Sequence, residues 1–474
     1  MRYKKEILSG FKWTFSNNII QAVLLAVQYI VLTRYLEPSD FGVMAILLVI
    51  IGIAAIFVEM GIGDAIVQSE TLSDEKVSSL LISSFMLGFA ALLVTNLIGT
   101  FITNMMGVQD TSMFLFLLSL TFLMSPLFYI YAALLEKQLL FADLNRVTIF
   151  SFVVGFIVTT VVAVFNGGIY ALIFGYISIE FVKAIGSYIV GKKLFQFRSV
   201  KPTNAVLPQL KYGSYISGSR LFNFMNSNFD KILIGKFLGE EILGLYSIAW
   251  NINSIPLRKI NSIANSISFP VFSKLQKEPE ETQKVFDGVM AFVVLLSIPL
   301  YLFLFFSGEE LLVFLFGPKW ATAGAILKWL SLLGIAKAIS NPAGPLILAK
   351  GQSKVEMYWN MFWLIVVLSV VYFLCVAHVE IEALAKYLAI SGLIVSPIWH
   401  YLVIKYTDIS YKNLLTMMIL VVACFLVMYL VNMRDLQFGL IINTILSILS
   451  MGLIWVFNEK AGFKMSELLK SRYE

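Results

Sequence analysis

Apolar residues run through this chain in long stretches separated by short polar segments, with neither a strand's period of two nor the single apolar stripe of a surface helix. A helix that crosses the ~30 Å hydrocarbon of a bilayer needs ~20 mostly apolar residues. Fourteen stretches meet that requirement, at about 13–36, 41–68, 78–103, 111–135, 145–165, 169–191, 213–238, 242–269, 285–307, 321–349, 354–376, 382–404, 412–431 and 438–457. The pattern predicts an all-α polytopic membrane protein with fourteen transmembrane helices. The apolar run after the basic start continues to Leu36 without a small-x-small cleavage site, so the first helix is expected to be a span and not a removable signal.

The charges between the spans set the orientation. With a cytoplasmic N-terminus, twenty-three Lys and Arg residues fall on the inner side and four, Arg34, Lys236, Lys319 and Arg434, in outer loops. That asymmetry is the positive-inside signature, and it predicts both termini in the cytoplasm. The outer loops are short, the longest expected over about 307–321, whereas the longest hydrophilic stretch, 192–211, is cytoplasmic. It separates six spans from eight. The expected organisation is an N-lobe over 1–191, a linker over 192–211, a C-lobe over 212–405, and two accessory spans with a tail over 406–474.

A weak internal repeat agrees with that division. A shift of 202 residues lays Arg34-Tyr-Leu-x-x-x-x-x-Gly42 over Lys236-Phe-Leu-x-x-x-x-x-Gly244. Six helices separate the copies, an even number, so the two six-helix lobes are parallel repeats, an architecture that places a transport site in a central cavity.

Polar residues inside the spans mark where that cavity would lie, because a charge at the bilayer centre is costly unless it meets water or a partner. The embedded cations are Lys183, Arg220, Lys231, Arg258, Lys259, Lys328, Lys337 and Lys386, all but Lys183 after the linker. The embedded acids are Glu59, Asp64, Glu180 and Asp230. Arg220, Asn223, Ser227 and Lys231 recur on one helix face, as do Asn251, Ser254, Arg258, Ser262 and Asn265. Asn17, Asn18, Gln21 and Gln28 form a polar stripe on the first helix, and the repeat shift lays Asn18 over Arg220 and Gln21 over Asn223. The candidate substrate contacts are Arg220, Arg258, Lys259 and Lys337, with Asn18, Gln21 and Asn223 as their polar partners. Glu59 and Asp64 are candidates for coupling to H+ or Na+, or else cap internal polar contacts. Arg34 and Lys236, at equivalent outer mouths beside Glu37, Asp40, Glu240 and Glu241, are candidates for an outer gate. Lys328 and Lys386 are read as snorkelling to the interface, and Lys183 as pairing with Glu180. Pro256 and the Asn341-Pro-Ala-Gly-Pro345 run are expected to bend or break their helices.

Composition narrows the function classes further. Charged residues make up 14% of the 474, against about 25% in soluble domains, so no separate globular domain is expected. The net charge of +6 is spread over short loops, which fits topology better than nucleic-acid binding. Cys375 and Cys424 stand singly, and His378 and His400 have no partner at metal-ligand spacing, so neither a disulfide framework nor a metal site is expected.

Several short motifs occur in order: Ser9-Gly-Phe-Lys-Trp13, Thr33-Arg-Tyr-Leu-x-x-x-x-Phe-Gly42, Gly61-Ile-Gly-Asp-Ala-Ile-Val-Gln68, Gly244-Leu-Tyr-Ser247, Phe269-Pro-Val-Phe-Ser-Lys-Leu-Gln276 and Phe316-Gly-Pro-Lys-Trp320. With them the chain resembles the Wzx-type polysaccharide flippases, in the colanic acid and teichuronic acid exporter branch of the multidrug/oligosaccharidyl-lipid/polysaccharide (MOP) superfamily. The similarity runs from Ser9 to about Ile404. The resemblance implies a V-shaped pair of six-helix lobes with two accessory helices. It also implies a non-enzymatic carrier that moves a polyprenyl-pyrophosphate-linked oligosaccharide across the cytoplasmic membrane by alternating access, without a cofactor. Membrane lipids and a polysaccharide polymerase machinery are the expected partners. Fixed cations agree with an anionic pyrophosphate cargo. A drug/cation antiporter of the same superfamily is the alternative, disfavoured by fourteen spans and a surplus of embedded cations. A membrane glycosyltransferase or polymerase would need a larger loop to hold a sugar site.

The charge split makes a direct prediction about topology. Reporter fusions at Lys201 and Lys470 are expected to read cytoplasmic and one near Asn432 external; an external signal at Lys201 would overturn the division into six and eight.

Overall fold

Inside a bilayer no water is present to satisfy backbone N–H and C=O groups, so a spanning chain without closed sheets must be helical. The computed structural model of the chain describes residues 2–69, 73–108, 110–198, 207–407, 409–433 and 439–460, and of 2–12, 15, 64, 68, 207–216, 219, 266–267, 413–417 and 457–460 the backbone alone. Among the described residues every regular element is helical. Eleven helical stretches among the described residues are long and apolar enough to cross a membrane. The protein is a multi-pass membrane protein.

The described residues divide into two compact units, Met1–Gly244 and Leu245–Glu474. The first holds α1 (Arg2–Tyr35), α2 (Pro38–Glu59), α3 (Ile62–Gln68), α4 (Asp74–Met105), α5 (Ser112–Ser119), α6 (Thr121–Lys137), α7 (Phe141–Val164), α8 (Ile169–Gly191) and α9 (Leu207–Leu238). The first turn of α10 (Glu240–Lys274) belongs to it as well. Here α7 packs between α1 and α8, α6 between α8 and α4, and α2 between α4 and α9. Leu47, Ile51, Leu115, Leu118 and Phe122 are buried in one core cluster, and Ile62, Ile66, Leu80, Ile130 and Tyr131 in another.

The second unit holds the rest of α10, then α11 (Pro279–Phe316), α12 (Ala321–Ser340), α13 (Ala343–Ala349), α14 (Ser353–Val376), α15 (Ile381–Thr407), α16 (Lys412–Asn432) and α17 (Gly439–Lys460). Its hub is α11, against which α12, α16 and α17 pack, while α12 and α14 both lie on α15. Three expected spans fall outside the eleven: α9 and α10, which carry the polar stripes, and α16, whose apolar stretch among the described residues is Met418–Asn432.

Several sequence boundaries need correction. The stretch 41–68 was expected as one span, but α2 stops at Glu59 because Met60 and Gly61 take left-handed conformations, φ 40° and 62°. The short α3 that follows is held at its C-terminal end by Lys137, whose Nζ donates to the carbonyl of Ile66 at 3.1 Å and to that of Ser69. The fourth stretch is divided at Leu120 into α5 and α6. The expected outer loop over 307–321 is mostly helix, since α11 runs on to Phe316. At about 1.5 Å per residue its 38 residues reach ~57 Å, far beyond the hydrocarbon. The break at Asn341-Pro342 occurs as expected, with α12 ending at Ser340 and α13 starting at Ala343.

At Pro256 the helix α10 continues, with a foreign group in its ladder. The Tyr301 hydroxyl donates to the Asn253 carbonyl at 2.9 Å and accepts from the Leu257 amide, the two groups that an undisturbed helix would join. Tyr301 is fully buried, and its ring lies against Gly334 of α12, where a Cβ would clash with it.

Gly42 and Gly244, which the 202-residue shift aligns, meet in the first unit. A Cβ at Gly42 would overlap the Glu240 carbonyl oxygen, and one at Gly244 would overlap the Pro38 carbonyl oxygen and come within 3.1 Å of the Gly42 amide nitrogen. The contact is reciprocal, because the 202-residue shift carries Pro38 onto Glu240 and Gly42 onto Gly244. Backbone therefore packs on backbone where the first turns of α2 and α10 meet, as small residues allow between helices in membranes.

Both features predict measurable costs. Gly42→Val and Gly244→Val, each forcing side-chain volume into this contact, should cost about 1–3 kcal/mol, read as a lower melting temperature of the purified protein. Tyr301→Phe keeps the ring but leaves Leu257 N–H and Asn253 C=O without their bridge, and should cost about 1–3 kcal/mol; an unchanged melting temperature would show that the ladder closes by itself.

Candidate functional site

In the first unit α9 packs on α2 through Ser217, Arg220 and Phe224. The Arg220 guanidinium, on the stripe's first turn, forms an ion pair with the Glu59 carboxylate at the end of α2. One turn earlier Ser217 donates to the Ile56 carbonyl at 3.3 Å, and the Phe224 ring fills the space over Gly52. These contacts fasten α9 along α2 and hold the ion pair at the break between α2 and α3. The Arg220 side chain is 37% exposed and that of Glu59 26%. Tyr129, Tyr176 and Glu180 belong to the same electrostatic neighbourhood, Tyr129 lying within range of Glu59, Arg220 and Glu180. Glu180 pairs with Lys183 at 2.8 Å, as the spacing predicted, and the Lys183 ammonium also stands over the Phe128 and Phe152 rings.

The other candidates of this unit are distributed around that pair. Asn223 and Ser227 are exposed on α9. Lys231 donates to Asn228 at 2.9 Å, next to the buried Asp230. On α1, Asn17 turns inward to donate to Asn145 of α7 at 2.7 Å, and Gln21 donates to Asn17 at 2.9 Å. Gln21 is thus tied into a helix–helix network, while Asn18 is half-buried beside it. Arg34 and Lys236 are both exposed at helix ends. Glu37 and Asp40 form a capping box at the start of α2, the Glu37 amide donating to Asp40 Oδ2 at 3.0 Å. The Asp64 side chain lies outside the described residues.

In the second unit, α10 carries Arg258 and Lys259 just past the Tyr301 insertion. Arg258 is exposed and, among the described residues, makes no hydrogen bond or ion pair; Lys259 is half-buried. Asn253, Asn261 and Asn265 on the same helix each leave a buried side-chain oxygen without a donor. Lys337 of α12 stands over the Trp250 ring at 4.8 Å and the Trp363 ring at 5.9 Å, bringing α10, α12 and α14 together around one ammonium group. Just beyond, at the α12 break, Trp399 donates to the Ser340 carbonyl at 3.0 Å and stacks on Trp359.

Sequence reasoning missed the aromatic partners. Trp250 carried a signal, since it lies four and eight residues before Ser254 and Arg258 on the same helix face. Trp363, Tyr129, Asn145 and Tyr301 carried none, because their roles depend on which helix lies next to which. Among the described residues no group of three or more His, Cys, Asp or Glu side chains could hold a metal ion.

Comparison with known proteins agrees with the motif resemblance. The chain is 27% identical to the teichuronic acid biosynthesis protein TuaB of Bacillus subtilis (strain 168), over 75% of this chain and 74% of that protein. It is 26% identical to the lipopolysaccharide biosynthesis protein WzxC of Escherichia coli (strain K12), over 76% of this chain and 74% of that one. The fold is that of the lipid II flippase MurJ in its inward closed conformation, with a TM-score of 0.73, 16% identity, and 96% and 99% of the two chains covered. A family model described as polysaccharide biosynthesis protein matches residues 31–325, more than half of the sequence, and the chain belongs to that family.

Proposed function

We propose that this protein moves a polyprenyl-pyrophosphate-linked oligosaccharide unit across the bacterial cytoplasmic membrane by alternating access, for surface polysaccharide synthesis, and catalyses no reaction. The reading includes fourteen spans, in two six-helix lobes around a central cavity plus two accessory helices, with both termini cytoplasmic. Its relatives by sequence are polysaccharide biosynthesis proteins, and its fold is shared with a lipid II flippase.

The observation that carries the cargo assignment is Arg258. A guanidinium without an ion-pair partner among the described residues, in the middle of a spanning helix, is costly in hydrocarbon, so its exposure is best explained by a water-filled cavity awaiting an anion. Lys337 adds a second cation, held over the Trp250 and Trp363 rings. In this reading Arg258, Lys259 and Lys337 attract the pyrophosphate, and Asn18, Gln21 and Asn223 meet sugar hydroxyls. Moderate attraction suits a carrier, which must also release its cargo.

Arg220 and Glu59 take a linked role. While they are paired, the guanidinium is unavailable to a phosphate. Protonation of Glu59, or a Na+ bound there with Asp64, frees Arg220 for the cargo and couples transport to an ion gradient. Arg34 and Lys236 are assigned to the outer gate, and a polymerase is the partner that receives the exported unit.

Two sets of variants test this reading. Arg258→Ala and Lys337→Ala should reduce translocation at least about tenfold, the weight of one charge-assisted bond to phosphate, with membrane abundance unchanged; Arg258→Lys should retain part of the activity. Translocation and abundance both at wild-type level in the two Ala variants would remove the cationic site. Glu59→Gln should transport without response to the ion gradient, whereas Arg220→Ala should lose transport; equal gradient dependence in wild type and Glu59→Gln would end the coupling role.

A further inference from the structure

A second polar site lies in the second unit, lined by none of the residues assigned to the cargo. A cavity of about 660 Å³ opens between α11, α12 and α16, lined by Glu309, Glu310, Lys328, Trp329, Tyr429 and Asn432 among others. It sits toward the helix ends that the proposed orientation places outside. We propose that this cavity holds the headgroup of a zwitterionic membrane phospholipid, one carrying both a phosphate and an ammonium group.

The first argument is the unpaired charge. Lys328 is half-buried and makes no ion pair among the described residues; its ammonium stands over the Phe305 and Trp329 rings, 5.7 Å from each. Lys386, on α15, approaches the same Trp329 ring at 5.2 Å. The ring is fixed between them by its Nε1, which donates to Glu382 at 3.1 Å. Glu310 is engaged elsewhere: its carboxylate abuts Gly439, the first residue of α17, where a helix N-terminus attracts negative charge. Glu309 is exposed and, among the described residues, has neither a hydrogen bond nor an ion pair. One cavity therefore presents an ammonium and a carboxylate that do not pair with each other. Its complement is a ligand with both charges.

The second argument is the route that leads away from the cavity. Val422, Leu426, Tyr429 and Met433 recur on one face of α16 at intervals of four, three and four residues. All four are exposed, from 47% to 66%. From Val422 to Met433 the stripe is about 16 Å long at ~1.5 Å per residue, close to the ~15 Å hydrocarbon depth of one leaflet. Tyr429 and Met433 belong to both stripe and cavity. A polar cavity that continues into an apolar track one leaflet deep fits a headgroup with acyl chains. The floor is firm, because Asn443 of α17 donates to Ser307 of α11 and accepts from Asn432 of α16, each at 2.8 Å.

Native mass spectrometry of the full-length protein, titrated with phosphatidylethanolamine or phosphatidylglycerol of identical acyl chains, tests the proposal. Wild type should retain phosphatidylethanolamine in preference, since Glu309 disfavours a purely anionic headgroup. Glu309→Gln should erase that preference. Lys328→Gln should weaken retention of both lipids about fivefold, and Lys328→Arg, which keeps the charge, should restore it. Equal retention of the two lipids by wild type, or a preference that survives Glu309→Gln, would overturn the assignment; so would Lys328→Gln and Lys328→Arg variants that both bind as wild type does.

Discussion

Every part of this structure answers to one constraint, that a backbone amide or carbonyl within hydrocarbon must find a partner inside the protein. Continuous helices meet it through their own ladder. The informative places are those where the ladder is interrupted, because something else must then take over. Past Met60 and Gly61 the carbonyls at the end of α3 are taken by Lys137. At Pro256 a tyrosine from α11 stands inside the ladder of α10. At Asn341-Pro342 the Ser340 carbonyl is met by the Trp399 indole. Each interruption is thus also a tie between helices, and the candidate site residues cluster beside these ties: Glu59 before the first, Arg258 after the second, Lys337 before the third.

Embedded positive charge is met in two ways. In Met1–Gly244, Arg220 and Lys183 each have a carboxylate partner. In Leu245–Glu474, Lys328 makes no ion pair among the described residues, and its ammonium stands over the Phe305 and Trp329 rings. A ring stabilises a cation through its quadrupole and leaves the net charge intact, whereas a carboxylate cancels it. The second arrangement maintains a positive field in a low-dielectric setting, where it acts at longer range than in water.

Much of the helical framework was legible in the sequence, because an apolar run of sufficient length has few alternatives in a membrane. The faces of α9 and α10 were legible for a related reason, since residues three and four apart must share a side of a helix. Termination was less so. Met60 has no local signature for a left-handed conformation, and the pattern through 41–68 is apolar on both sides of it. The helical extension of α11 past Ser307 was hidden by Gly308, Glu309 and Glu310, which read as loop residues until the neighbours that accommodate them are known. Partnership was least legible. The choice of Arg220 by Glu59, or of Trp250 and Trp363 by Lys337, depends on helix order in three dimensions, which a one-dimensional pattern does not encode.

The reciprocal packing of Gly42 and Gly244 has a consequence for how the sequence can change over time. In a symmetric dimer a residue at the two-fold axis faces its own copy, so a single mutation alters both sides at once. Here the two glycines lie 202 residues apart in one chain and mutate independently, yet each abuts the backbone that carries the other. A larger residue at either position meets the same obstacle, and a change at one does not make room at the other. The pair is thus expected to behave as one inherited character, each glycine held in place by the backbone of the other.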